Sequence, residues 1–192
     1  VSASGFVLLA LAVLALPSVP GDEAFRLWLL AASSPAVVDV LRVINYAGSW
    51  RLLLPATLLL LLAFPHARRR WWIWIGLMLA APGAEGLLKI VIGRPRPEDA
   101  SMGFPSGHAT AAAAFFGAVI YLAGSLPSTA RVVVRVGAAL LIVLVATARV
   151  VLRAHWPSDT VAGIALGLAF ASAAALLAGL DTSADRSGPA AT

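Results

Sequence analysis

Three polar clusters interrupt an otherwise apolar chain, and each carries residue types suited to handling phosphate. Lys89 precedes Arg96-Pro97, Pro105-Ser106-Gly107-His108 forms a compact run, and Arg149 is followed by His155 and then Asp159. Lys89 is the one Lys among 14 Lys and Arg residues, and two of the 3 His, His108 and His155, fall in these clusters. Charged groups near a bilayer are costly to place, so their gathering points to chemistry.

Lys89, Arg96 and Arg149 would repel one another if brought close with no anion between them. A dianionic phosphate is the natural occupant, and guanidinium forks match its oxygens. Taken singly, each Arg also reads as a headgroup anchor or a snorkelling side chain. Lys89 has Glu85 one turn earlier as an ordinary pairing partner. Ser106 is placed as a helix N-cap and Gly107 exposes backbone N–H, an arrangement that binds anions through free donors and the helix dipole. His108, in the first turn, is positioned to protonate a departing oxygen; the plainer reading is a helix cap followed by an interfacial His. His155 and Asp159 flank Pro157, which suits the first turn of a helix. A hydrogen bond from one imidazole nitrogen to Asp159 would fix the tautomer and leave the other nitrogen free to attack phosphorus. The competing reading pairs Asp159 with Arg153. With no Cys and no second acidic cluster, His155 is the best nucleophile on offer. His108, His155 and Asp159 also form a ligand triad, but the surrounding Arg residues oppose a cation, so no metal is expected.

These clusters need elements to hold them. Of 192 residues, 60% are hydrophobic and 12% charged, with a mean hydropathy of +0.92; a soluble domain carries about 25% charged residues. The chain therefore reads as an all-α polytopic membrane protein, one domain over residues 1–180. A spanning helix needs about 20 apolar residues. Six candidates stand out, near Ser4–Val19, Trp50–Phe64, Trp71–Ile92, Ser106–Ser125, Arg131–Leu152 and Pro157–Leu180. The first two are short. The first apolar run, Gly5 to Leu16, has the length of a signal peptide but lacks a basic start, and Pro17-Ser18-Val19-Pro20 is a poor cleavage site. The chain begins on Val1 rather than Met, so an N-terminal stretch is expected to precede it.

Residues 21–49 mix Asp22, Glu23, Arg26, Asp39 and Arg42 with Phe25, Trp28, Leu29, Val38 and Leu41, as an amphipathic helix in the interface does. A surface connector and a lateral gate for a lipid both fit. No tandem repeat is evident, and the polar tail at 181–192 is expected to be disordered. Cys is absent, which removes disulfides, thiolate metal sites and Cys nucleophiles. The net charge of +5 comes from Arg at the ends of apolar runs, which suits anionic lipid, a phosphate ligand and topology rather than nucleic acid.

Arg68-Arg69-Arg70 predicts a cytoplasmic loop between the second and third spans, with Arg131 and Arg135 on the same side by parity. Trp71, Trp72 and Trp74 predict an interfacial belt. The segments Lys89–His108 and Arg149–Asp159 are separated by two crossings, so both face the external side, where the clusters can meet.

In order, the clusters resemble the type 2 phosphatidic acid phosphatase superfamily, whose signature runs Lys-x6-Arg-Pro, Pro-Ser-Gly-His and Ser-Arg-x5-His-x3-Asp. Lys89 to Pro97, Pro105 to His108, and Arg149, His155 and Asp159 match it; Ala148 stands where the pattern has Ser, which removes one hydroxyl. The resemblance implies that His155 attacks the phosphoryl group and becomes phosphohistidine, that Asp159 orients it, and that His108 protonates the leaving oxygen and then helps activate water. It implies that Lys89, Arg96, Ser106, the Gly107 N–H and Arg149 hold the phosphate. No cofactor is required. Arg94 and Arg153 lie outside the signature and are candidate contacts to a second phosphate or headgroup.

The expected function is thus a metal-independent lipid phosphatase of a bacterial cytoplasmic (inner) membrane, its site facing outward. Undecaprenyl pyrophosphate, phosphatidic acid and phosphatidylglycerol phosphate are the substrates in view. The alternative is a non-catalytic lipid-phosphate binding or transport protein on the same fold, which the intact His108, His155 and Asp159 oppose. A haloperoxidase with a similar vanadate site is soluble, unlike this chain. The sequence says nothing of oligomeric state.

Overall fold

The computed structural model describes residues 2–16 and 18–180, and the tail at 181–192 lies outside the described residues. The described chain is a series of helices: α1 (Ser2–Ala15), α2 (Asp22–Ala32), α3 (Pro35–Ile44), α4 (Trp50–Ala63), the short α5 (Pro65–Arg69), α6 (Trp71–Ile92), α7 (Gly107–Leu122), α8 (Ser128–Val151) and α9 (Pro157–Leu177). A 3-10 turn, Asn45–Gly48, follows α3.

Among the described residues, four helices are long and apolar enough to cross a membrane: α6, α7 with the turn that extends it to Ser125, α8 and α9. All four coincide with sequence candidates to within three residues at each end. The two short candidates form helices of 14 residues each, α1 and α4, about 21 Å long at 1.5 Å per residue. That is less than the roughly 30 Å of hydrocarbon in a typical bilayer. α1 stops at Ala15 rather than running on to Val19, in keeping with the prolines downstream in the sequence, which disfavour helix before them.

α7 and α9 make the closest helix pair, and small residues are the reason. A Cβ built on Gly167 would lie 2.4 Å from the Thr110 carbonyl oxygen, and one on Gly163 would lie 2.6 Å from that of Ser106. Close backbone approach of this kind is how helices associate where lipid removes the hydrophobic drive. It fixes α9, which carries Asp159, against α7, which carries His108. A second apolar cluster joins α4, α6, α7 and α9 through Leu53, Leu60, Leu77, Met78, Ala111 and Ala174.

One expectation is corrected. Trp71 and Trp72 are exposed, as a belt requires, but Trp74 is 1% exposed and belongs to this core. It lies one turn before Leu77 and Met78 on the same helix face, so helical period overrides the run of three aromatics.

The 21–49 region is neither a loop nor a single helix. α2 and α3 meet at a bend of 112°, and Ser34 caps α3 by accepting from the Val37 N–H at 3.4 Å. The inner face docks on the end of α8: Leu41 packs with Ala148 and Val151, flanked by Leu29, Val38 and Ile44. The outer face leaves Phe25, Trp28, Val40 and Val43 exposed.

Candidate active site

The site forms where three helix ends meet, and local backbone rules explain each approach. α6 stops at Gly93, whose φ of +63° is the left-handed conformation of a helix C-terminus, with its N–H on the Lys89 carbonyl at 2.9 Å. The chain then folds back on itself, with Gly103 N–H on Arg94 O at 2.7 Å and Arg96 N–H on Ser101 O at 3.1 Å. Ser106 begins α7, and its N–H donates to the Asp159 carbonyl at 2.9 Å. That single bond ties the second cluster to the third.

The spacing from Arg149 to His155 also has a backbone cause. Arg153 adopts φ +60°, its N–H reaches Val150 O at 2.9 Å, and the Ala154 N–H reaches Arg149 O at 3.0 Å. This is a Schellman closure with Arg in the left-handed position that glycine usually fills. It reverses the chain at the end of α8, so that His155 returns above Arg149, its N–H on Arg149 O at 3.2 Å. Pro157 then opens α9 at its first helical position.

His155 is 1% exposed and Asp159 fully buried. Nδ1 of His155 lies 3.4 Å from Asp159 Oδ2, longer than a full hydrogen bond, a distance of the sort that tightens on substrate binding. Nδ1 thus faces the carboxylate and Nε2 is the nitrogen left for chemistry. Asp159 Oδ2 also accepts the Trp156 N–H at 3.0 Å, and Oδ1 accepts from Arg94 at 2.6 Å.

Lys89, Arg96, Arg149 and His155 all lie within electrostatic reach of His108, so the structure brings the three clusters to one place. Lys89 is paired with Glu85 at 2.5 Å, and that carboxylate also lies against Gly107. Ser106 occupies the N-cap position, but its hydroxyl makes no cap bond. It is buried with no hydrogen-bond partner among the described residues, as are Nε of Arg96 and Nε of Arg149. These are three buried polar groups from three chain segments, and the two Arg side chains act electrostatically on both histidines.

The two residues expected at a headgroup behave differently. Arg94 is 12% exposed and turned inward, shared between Asp159 and Asp22, so it backs the His155–Asp159 pair. Arg153 is exposed and pairs with Glu98 at 2.9 Å, which leaves Asp159 to Arg94. Several contributors were invisible in sequence. Asn45, in the turn after α3, accepts from Arg149 at 3.0 Å, and Gly48 packs so closely on His108 that a Cβ there would be 2.9 Å from its carbonyl oxygen. Ala148, in the place of the signature Ser, is fully buried against the apolar face of α3. The acceptor that Arg149 does find is Asn45.

Burial is the largest influence on the His155 ring and pushes its pKa below the ordinary 6.5; the nearby Asp159 carboxylate pulls it up, and Arg149 and Arg96 push it further down. A lowered value keeps the ring neutral, hence nucleophilic, to more acidic pH. Isotope-labelled protein in detergent is expected to show His155 titrating below 6.5, its resonance identified by its absence from His155→Ala. Titration above that value would mean that Asp159 outweighs burial.

A helical membrane protein that sets a buried histidine–aspartate pair beside clustered cations and unpaired buried donors has the parts of a phosphoryl-transfer site. The chain belongs to the PAP2 superfamily, whose sequence profile matches residues 70–181. It is similar to phosphatidylglycerophosphatase B of Bacillus subtilis (strain 168), with 31% identity over 177 residues covering 85% of this chain and 86% of that protein. Its fold matches the crystal structure of the first transmembrane PAP2 type phosphatidylglycerolphosphate phosphatase from Bacillus subtilis with a TM-score of 0.80 and 25% identity, over 92% of this chain and 94% of that one. At this level the chain is a PAP2-type membrane phosphatase.

Proposed function

We propose that this protein removes the terminal phosphate from a lipid phosphate or pyrophosphate through a phosphohistidine on His155. The observation that carries the reading is the trio of buried, unpartnered groups, Ser106 Oγ, Arg96 Nε and Arg149 Nε. Each such group left unpaired costs about 1–3 kcal/mol, and phosphate oxygens can accept from all three.

In the first step Nε2 of His155 forms a bond to phosphorus as the bond to the lipid oxygen breaks. His108 gives its proton to that oxygen, and Arg96, Arg149, Ser106 and the N-terminus of α7 stabilise the charge on the transferring group. Lys89 joins them when the phosphate competes with Glu85 for its ammonium. In the second step a water attacks the phosphohistidine and His108 takes its proton. Inorganic phosphate leaves and His155 is restored. The chain's own residues supply each role, so no metal is invoked.

The short α1 and α4 complete six crossings in this reading. The site then lies at the outer face of a bacterial cytoplasmic membrane, where a lipid presents its phosphate while its tails stay in the bilayer. Relatives named for phosphatidylglycerophosphate make that lipid the first substrate to try, with phosphatidic acid and undecaprenyl pyrophosphate as competitors. Detergent-purified protein is expected to release phosphate from at least one of these in the presence of EDTA. Loss of activity in EDTA that a divalent ion restores would overturn the metal-free mechanism. No release from any of them, with lipid binding intact, would favour a binding or transport protein.

A further inference from the structure

We infer that Asp22, the first residue of α2, is a positioning residue for the His155–Asp159 pair and acts on it through Arg94; the inference rests on the phosphatase reading above. Asp22 is 6% exposed, although it opens an amphipathic helix whose other acid, Glu23, is exposed. Its two oxygens are fully engaged. Oδ1 accepts the Ser158 N–H at 2.8 Å, and Oδ2 accepts the Ser158 hydroxyl at 2.5 Å and Arg94 at 2.7 Å. The other arm of Arg94 donates to Asp159 at 2.6 Å and to Ser158 at 2.7 Å. Trp156 lies 5.5 Å beneath the guanidinium and completes its enclosure.

One cation is therefore held between two carboxylates, and only one of them faces the nucleophile. Were Arg94 paired with Asp159 alone, its whole charge would bear on the carboxylate that must support a developing positive charge on the His155 ring. Sharing Arg94 with Asp22 keeps the local balance at one net negative charge and fixes the Asp159 rotamer, so that Oδ2 stays aimed at Nδ1. The charged groups that act on His155 directly are Asp159 on α9, Arg149 on α8 and Arg96 after α6, with Arg94 and Asp22 behind Asp159. Asp22 belongs to the connector, so the connector is part of the catalytic apparatus and not only a cover.

The test is steady-state kinetics of Asp22→Asn beside wild type, His155→Ala and Leu29→Ala. Leu29 packs the connector onto α8 beside Leu41, Ala148 and Val151. Asp22→Asn is expected to lower kcat about 10- to 100-fold, the scale known for outer partners of metal-ligating histidines, with KM within about threefold of wild type because the effect falls on the transition state. Asp22→Glu is expected to recover most of kcat, and Leu29→Ala to lower the unfolding temperature while keeping kcat. Wild-type kcat in Asp22→Asn, or an equal loss in Leu29→Ala, overturns the inference while His155→Ala stays inactive. Full activity in His155→Ala overturns the phosphatase mechanism itself and this inference with it. If Asp22→Asn does not fold, Arg94→Lys probes the same link, because an ammonium cannot bridge both carboxylates as the fork does; unchanged kcat there is equally decisive against it.

Discussion

His155→Ala is expected to lower phosphate release by about 10⁴-fold or more, the scale seen when a nucleophile is removed from a covalent mechanism. Nothing nearby can replace it. The chain has no Cys, Asp159 is enclosed by Arg94 and the Trp156 N–H, and His108 belongs to the leaving-group side of the proposed reaction. The fold should persist, because Asp159 keeps those two partners and is not left as a bare buried charge. Thermal unfolding in detergent checks that point, and a rapid alkaline quench with labelled substrate should trap phosphoprotein in wild type and none in the variant. Activity within tenfold of wild type would mean that water attacks phosphorus directly and that His155 serves only to bind.

The second large effect concerns His108, and its size should depend on the substrate. A phosphate ester must expel an alkoxide, which needs a proton, whereas a lipid pyrophosphate expels a phosphate that leaves well without one. His108→Ala is therefore expected to slow phosphatidic acid or phosphatidylglycerol phosphate by about 10²- to 10⁴-fold and undecaprenyl pyrophosphate by far less, about tenfold. Parallel kcat/KM measurements on the two classes decide it. Equal losses on both would remove the acid role and leave His108 as one more phosphate contact. The packing of Gly48 against the His108 backbone suits an acid that must hold its position.

Much of the fold was legible because the relevant signals are local. Apolar length marks a crossing helix, and α6 to α9 appear within three residues of where their sequence places them. The His155–Asp159 spacing is also local: four residues across a helix start opened by Pro157 put both side chains on one face. The register from Arg149 to His155 follows from a helix closure, with Arg153 left-handed, and a new helix opens directly after it. Trp74 shows the limit of reading residue type without phase, since its burial depends on which face of α6 the neighbouring helices cover.

What the sequence determined by itself was the long apolar helices, the polar clusters they carry and the chemistry those residue types suit, because each depends on residue type and short-range spacing. Tertiary structure alone decided where the side chains point and what stands behind them. Arg94 looks like Arg96 in sequence, yet the turn after Gly93 sends it inward to Asp159. Asp22 looks like any first-turn carboxylate, yet it meets Ser158 across 136 residues of chain. Asn45 meets Arg149 across 104. Contacts of that range depend on how the connector packs against α8 and α9, and no local pattern of residues records that packing.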